Sequence, residues 1–302
     1  MIPGQLYVYV VKTLRLVLLS RNVRFLIGFV VLGLCRLGPQ WVRDLVFWRI
    51  QRIEAELLLP GGTRLGIDLY HLATLVGIFF GKAYELVEGF TPRPGWTIVD
   101  VGAHMGIYTV RAARMVGEEG RVIAVEPHPR NYAVLLRNLR QNMLRNVMPV
   151  ELAISDHEGE QQLLLSKGSG GHTLLASGRA GSLELSRLQK LWSHSLLVSG
   201  ESRVRSIAIR TITLDQLVED YGGKVDLIKV DVEGAELLAL NGATRTLRRS
   251  GVRVVIETHS HELATKVVNF LKSYCRFIRP IYAITGYVSW GRMAPTIYAV
   301  TR

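Results

Sequence analysis

The chain has 302 residues, 48% of them hydrophobic, enough to bury a substantial core in one domain with an N-terminal extension rather than two equal domains. Its two cysteines, Cys35 and Cys275, lie far apart and near no metal-ligand pattern, which argues against a cysteine-ligated metal and fits a reducing compartment. The formal charge of +12 is uneven: Lys12, Arg15, Arg21, Arg24, Arg36, Arg43 and Arg49 face only Asp44 in the first fifty residues, half of the excess. Nucleic acid, an anionic membrane surface, an anionic substrate or a merely solvated basic face would each account for it.

Within that segment, residues 25–35 run without a charge between Arg24 and Arg36. A helix needs roughly 20 apolar residues to span a bilayer, and extending the run back through 14–19 places Arg21, Asn22 and Arg24 in its middle, which is costly. No small-residue cleavage site follows a single apolar core. Residues 1–50 are therefore predicted to be one or two basic amphipathic helices, lying at an anionic membrane surface or packing on the catalytic domain. The expected location is the cytoplasm, peripheral to the inner face of the membrane.

Residues 51–95 lead into the core. Segments 53–59 and 63–69 flank Pro60-Gly61-Gly62 as a predicted hairpin, and a mostly apolar helix is expected over 71–88. Strictly alternating elements follow: strand 96–101, helix 108–116, strand 121–126, helix 131–142 and strand 147–154. Then come strand 225–231, helix 235–249, strand 252–257, helix 261–273, and two strands near 277–284 and 296–300. Short apolar strands between helices predict an α/β domain over 96–302, with a Rossmann-like, seven-stranded, mostly parallel sheet covered by helices on both faces. Residues 166–203, rich in Ser and Gly, break the rhythm and are expected to form a lid or substrate loop. His172 enters the site if that loop folds over it.

Three clusters carry chemistry. The first, Asp100-Val101-Gly102-Ala103-His104-Met105-Gly106, ends a strand and starts a helix, where open parallel sheets bind ligands. Glycines there admit a close backbone approach. The Gly-x-x-x-Gly spacing is not that of a dinucleotide pyrophosphate site, and Asp100 would repel a pyrophosphate. A cationic amino-acid moiety with ammonium and sulfonium suits it, so S-adenosylmethionine is the expected cofactor. Glu126, before Pro127, ends the next strand and can accept both ribose hydroxyls. Ala153 and Ile154 end the third strand, where they can sandwich an adenine, while Asp156 faces the ring or starts a turn with Gly159.

The second cluster is Asp231, Glu233 and Glu236. Glu236 suits a helix first turn, where negative charge gains roughly 0.3–1 kcal/mol, whereas Asp231 faces the cofactor crevice. The third is Glu257-Thr258-His259, in which His259 can act as a base near neutral pH and the stretch onward to His261 can equally cap a helix. No metal is otherwise indicated, but Asp231, Glu257 and His259 form the set that would hold a hard ion or orient a substrate. His157, His194 and His261 read as surface residues.

TIVDVGAHMGIYTVRAA, GRVIAVEPHP, AISDHEGE, TLDQL, DLIKVDVEGAE and VVIETH, spread in order over residues 79–259, resemble the FkbM family of methyltransferases. The segment Gly81-Lys82-Ala83-Tyr84-Glu85 is similar to that family's approach to the catalytic domain, with one extra residue. The resemblance implies a class I methyltransferase fold and O-methylation of a hydroxyl on a sugar or polyketide-like molecule. By position, Asp100, Gly102 and Gly106 would hold the methionine part, with Glu85, Ala103, His104 and Tyr108 beside them. Glu126 and Pro127 would meet the ribose, and Asp231, Glu233, Glu257 and His259 would line the reacting centre. His104 stands where the family usually has Asn, and residues 1–50 lie outside the resemblance.

The expected reaction is an in-line displacement at the sulfonium methyl, with His259 or Asp231 as base and Glu257 orienting it. The expected acceptor is a hydroxyl of a small molecule, a glycan or a lipid-linked sugar. An RNA methyltransferase is the charge-prompted alternative, but the aromatic-interleaved basic patch of stacking proteins is missing and nucleic acid is not an expected partner. A non-catalytic, membrane-associated cofactor-binding module would not need acids at three neighbouring strand ends.

Overall fold

In a computed structural model that describes residues 27, 30, 53–165, 172–174, 205–282 and 294–302, the hairpin pattern forms β1 (Glu54–Leu58) and β2 (Arg64–Asp68), paired antiparallel. A 3-10 turn, Leu69–His71, opens into helix α1 (Leu72–Phe79). Then come β3 (Thr97–Val101), α2 (Ile107–Val116), β4 (Arg121–Val125), α3 (Pro129–Gln141) and β5 (Val147–Val150). The middle of the chain gives β6 (Ala153–Ile154), β7 (Gly159–Leu165), β8 (Thr173–Leu174), β9 (Arg205–Ile212) and α4 (Leu214–Asp220). It closes with β10 (Leu227–Val230), α5 (Glu236–Asn241), β11 (Arg253–Glu257), α6 (His261–Leu271), β12 (Cys275–Ile281) and β13 (Thr296–Thr301).

The main sheet has the seven strands expected, in the order β12-β13-β11-β10-β3-β4-β5. Its centre is parallel, and β13 runs antiparallel to both of its neighbours. Period-two alternation along the strands sorts the core into two layers. Ile98, Val122, Ala124, Leu227 and Val255 pack with Val76, Val110 and Leu135 of α1, α2 and α3. On the other face Val99, Val101, Ile123, Val230 and Ile256 pack with Leu217, Leu240 and Val267 of α4, α5 and α6. This is the helix-on-both-faces α/β fold that a fully buried parallel sheet requires.

The hairpin is docked by two asparagines of the α3 region. Asn138 Oδ1 accepts the Gly66 amide at 2.7 Å, and its Nδ2 donates to the carbonyls of Gly66 and Met105 at 3.1 and 2.7 Å. Asn142 Oδ1 accepts the Arg64 amide at 3.0 Å. The hairpin is thereby tied to the loop before α2, and the chain leaving it carries His71 to the carboxyl-end side of the sheet.

Three expectations are corrected and one sheet is added. The strand expected over 147–154 splits after Val150, and its last two residues become β6, in a second sheet of order β6-β9-β7-β8. Strands β7 and β9, the body of that sheet, were not anticipated. The helix expected over 71–88 stops at Phe79, because Lys82 turns to φ +53° and the Ala83 amide closes back on the Gly77 carbonyl at 3.1 Å. The helix expected over 235–249 stops at Asn241: Gly242 is packed so closely that a Cβ would lie 2.1 Å from the Ser155 carbonyl, and only a 3-10 turn, Thr246–Arg248, follows.

Within residues 1–50 only Ile27 and Val30 are described; both are helical and exposed, and the rest of that expectation lies outside the described residues. So do His194 and most of 166–203. Among the described residues no helix is long and apolar enough to cross a membrane.

Candidate active site

The chain adds β4 and β5 on one side of β3 and later returns to add β10 and β11 on the other, so a crevice opens beyond the strand carboxyl ends at this switch point. It holds a cavity of about 940 Å3, counting its open mouth. The parallel register sets Lys229 of β10 opposite Asp100 of β3. Lys229 Nζ lies 3.1 Å from Asp100 Oδ1 and donates to the Gly102 carbonyl at 2.8 Å, while Thr109 Oγ1 donates to Asp100 Oδ2 at 2.6 Å. Burial alone pushes the lysine pKa down, but the charges of Asp100 and Asp231 outweigh it and leave the pKa raised. Asp100 is fully buried and does not line the cavity; it anchors the loop from behind.

That loop is left-handed at alternate residues, with φ of +77° at Gly102, +53° at His104 and +82° at Gly106. Gly102 is required by the protein itself, since a Cβ there would stand 1.9 Å from the Asp231 carbonyl. At Gly106 a Cβ would stand 2.5 Å from the Leu135 Cδ1 methyl, a side-chain end rather than backbone, so there it is chiefly the left-handed φ that asks for glycine. His104 stands at a position that asks for a left-handed backbone, which Asn and His adopt more readily than most residues. The Gly102 and Ala103 amides donate to the Val125 carbonyl at 3.0 and 2.9 Å, and the His104 amide donates to Glu126 Oε2 at 2.8 Å.

Glu126 also accepts the His128 amide at 2.9 Å. Burial pushes its carboxyl up to about 7, against the pull of these hydrogen bonds. Beside it an apolar slot is built from Val125, Ala153, Ile154, Leu163 and Leu174, so the second sheet roofs the cavity through β6, β7 and β8. His172 lines the cavity from this roof and stacks on His128 with ring centres 4.2 Å apart. Burial and the neighbouring His128 push the His172 pKa down to about 3.

The opposite end of the cavity is acidic. The Tyr84 hydroxyl lies 2.7 Å from Glu257 Oε2 and 3.0 Å from Asp231 Oδ2; with one proton it can donate to only one of them. Burial and the charge of Asp231 raise the Glu257 pKa. Burial, opposed by His259 and reinforced by Asp231, lifts Glu233 to about 8. His259 Nδ1 faces Glu236 Oε1 at 2.9 Å, and its Nε2 lies 3.3 Å from Glu233 and 3.5 Å from Asp231. Burial would lower the imidazole pKa, but Glu233, Glu236 and Asp231 together raise it well above its ordinary value.

The structure thus brings Gly102, Ala103, His104, Tyr108, Glu126, Pro127, Ala153, Ile154, Asp231 and Glu233 to one cavity. Glu257 and His259 stand behind its acidic wall, joined to it through Tyr84 and through Asp231 and Glu233. Asp156 is exposed and paired with His157 at 2.7 Å. Glu85 makes a bidentate pair with Arg111, at 2.6 and 2.9 Å, that clamps the approach segment to α2. His157 and His261 are exposed, as expected.

Sequence reasoning passed over Lys229, Tyr84, His71 and Thr74. A lysine inside the run Leu227-Ile228-Lys229-Val230 was the legible signal, because a buried strand tolerates a charge only beside its counter-ion. Tyr84 lies in the Gly81–Glu85 segment that resembles the family's approach but was given no role there, and nothing local marks His71 or Thr74; all three reach the cavity from segments before β3.

A cavity at the switch point of a seven-stranded, mostly parallel sheet, with an acid at the second strand end and a titratable cluster at the fourth, defines a site for a small ligand and for proton transfer. A profile described as the methyltransferase FkbM domain matches residues 100–278. The chain belongs to the FkbM methyltransferase family. It is 29% identical over 170 residues to methyltransferase sdnD of Sordaria araneosa, covering 53% of this chain and 65% of that protein. Over 162 residues it is 28% identical to the hexuronic acid methyltransferase AglP of Haloferax volcanii, covering 53% of this chain and 55% of that one. The chain therefore spans less than two thirds of either relative. A solved FkbM methyltransferase from Methylobacillus flagellatus KT aligns with a TM-score of 0.42 at 16% identity, covering 85% of this chain and 59% of that one.

Proposed function

We propose that this methyltransferase uses S-adenosylmethionine to methylate a hydroxyl oxygen of a sugar or of another small or lipid-linked acceptor. The observation that carries the reading is the division of one cavity into a nucleoside-shaped end and a proton-accepting end. At the first, Glu126 is fixed by backbone amides at a strand end, where it can accept two ribose hydroxyls, and the slot of Ala153, Ile154, Leu163 and Leu174 suits a flat apolar-faced ring. On the wall between the ends, His71 Nε2, Thr74 Oγ1 and Tyr108 OH are buried without hydrogen-bond partners among the described residues. Polar atoms left so are costly unless a ligand completes them, and they suit the amino-acid portion of the cofactor. When bound, that cofactor supplies an electrophilic methyl group on a sulfonium.

The chain's own task is then to orient an acceptor hydroxyl and receive its proton. Asp231 is the carboxylate that both lines the cavity and touches the Tyr84 hydroxyl, which links it to Glu257. These three groups form one proton-accepting network. The relationship to a hexuronic acid methyltransferase supports a sugar acceptor. Asp231→Asn is expected to lower kcat by about 10²–10⁴-fold while calorimetry with S-adenosylhomocysteine finds the affinity within a few-fold of wild type. Full activity in that variant, or lost affinity with intact kcat, would remove Asp231 from the chemistry.

A further inference from the structure

One group at the acidic end is arranged more specifically than proton transfer requires. The Glu236 carboxylate is wholly buried and receives both the Gly234 amide at 3.0 Å and His259 Nδ1 at 2.9 Å. A hydrogen on Nδ1 would be met by that carboxylate, and a neutral imidazole so held would present its Nε2 lone pair on the far side of the ring. A carboxylate placed behind an imidazole in this way is the usual support of a metal-ligating histidine. Nε2 then faces two oxygens, Glu233 Oε2 at 3.3 Å and Asp231 Oδ1 at 3.5 Å. Both separations exceed the roughly 2.7–2.9 Å of a charge-assisted hydrogen bond. They approach the spacing of adjacent ligands around a single ion, since bonds of about 2.0–2.2 Å at tetrahedral or octahedral angles put neighbouring donors ~3.0–3.5 Å apart. One donor atom from each of the three residues lies within 4.8 Å of the others.

Two further features point the same way. Glu233 holds a left-handed φ of +54°, a conformation that costs a non-glycine residue about 1–3 kcal/mol and persists where a site demands it. Glu236 Oε2 is buried with no hydrogen-bond partner among the described residues, so this carboxylate spends its bonds on the turn and on His259 and keeps one oxygen bare. The three side chains remain a quarter to a third exposed, which leaves a route for an ion and room for further ligands.

We propose that Asp231, Glu233 and His259 bind a divalent first-row transition ion of the Mn2+ or Zn2+ type, with open coordination positions on the cavity side. Two carboxylate oxygens and one imidazole nitrogen suit such an ion better than Ca2+, which takes six to eight oxygens. Asp231 would bind through Oδ1 and keep Oδ2 for Tyr84. The ion's service to catalysis, holding the acceptor oxygen and making its proton easier to lose, rests on the methyl-transfer reading; the binding site itself does not.

The test uses the full chain without cofactor, titrated with Mn2+ by calorimetry and electron paramagnetic resonance and with Zn2+ in competition with a chromogenic chelator. One ion per chain is expected. Glu233→Gln and His259→Ala should each weaken it at least about tenfold, and Glu236→Gln about 10–100-fold, with circular dichroism unchanged. Failure to bind Mn2+ or Zn2+ at millimolar concentration overturns the proposal, as does undiminished affinity in Glu233→Gln. That variant keeps size and is partly exposed, so it serves if His259→Ala does not fold. Because the readout is ion binding, its failure leaves the methyl-transfer reading standing, and loss of methyl transfer leaves the ion site standing.

Discussion

The two ends of the cavity are held by different physics. Around Gly102, Gly106 and Glu126 the atoms are fixed by backbone hydrogen bonds and left-handed turns, and at Gly102 by a backbone contact so close that a single methyl group has no room. At the ends of β10 and β11, Asp231, Glu233, Glu236 and Glu257 crowd around one imidazole and one phenol, and their positions depend on where a few protons or cations sit. The first end tolerates no change of volume. The second tolerates small changes of shape but no careless change of charge. Lys229 joins them, touching Asp100 and the Gly102 carbonyl on one side and lying 3.7 Å from Asp231 on the other.

The sharpest way to break this contrast is therefore at Lys229. Lys229→Met keeps most of the volume and leaves Asp100 buried and uncompensated, which should cost about 3–5 kcal/mol in urea unfolding. Adding Asp100→Asn should recover a good part of the loss, and if the single variant does not accumulate, the double variant carries the measurement. A wild-type urea midpoint for Lys229→Met would show that the row is not held by charge.

Glu126 should respond with the opposite sign. Its folded-state pKa of about 7 lies above the ordinary 4.5, so the folded chain binds more protons between these values and loses stability as pH rises through them. Glu126→Gln should remove that loss, gaining at most ~3 kcal/mol at about pH 8, and should flatten the dependence of Tm on pH across the window. S-adenosylhomocysteine should bind at least about tenfold weaker, as a carboxylate's hydrogen bonds to ligand are worth roughly 1.5–3 kcal/mol. A variant both less stable and undiminished in affinity would contradict the assignment.

The smallest effect belongs to Glu85, which touches neither end. Glu85→Gln should cost about 1–2 kcal/mol through its lost pair with Arg111 and leave cofactor affinity unchanged. A selective loss of affinity would bring Glu85 back to the cofactor.

The β3–α2 loop was legible in the chain because strand, bend and helix are contiguous there. The alternation of strands and helices announced the sheet for the same reason, and Glu126 followed from its place at the next strand end. The second sheet was not legible: β7 opens with Gly159-Glu160-Gln161-Gln162, which carries no apolar period, and its partner β9 lies beyond the Ser- and Gly-rich stretch. Helix lengths failed beyond Phe79, where Lys82 turns left-handed, and beyond Asn241, where Gly242 packs against the Ser155 carbonyl far along the chain. The glycines of the loop were read as making room for a ligand, yet Gly102 makes room for Asp231 and Gly106 for Leu135.

Local pattern by itself determined the α/β class, the seven strands, the glycine-containing bend between β3 and α2 and the positions of the acids, since each depends on residues within one turn or strand of one another. Only the tertiary structure decided what those residues face. Strand register put Lys229 against Asp100 and withdrew the aspartate from the cavity while the lysine lines it, and chain segments far apart brought Tyr84, His71 and the β8 roof over it. Whether an acid is a base, an anchor or a ligand depends on the charge beside it, and that neighbour is chosen by the fold.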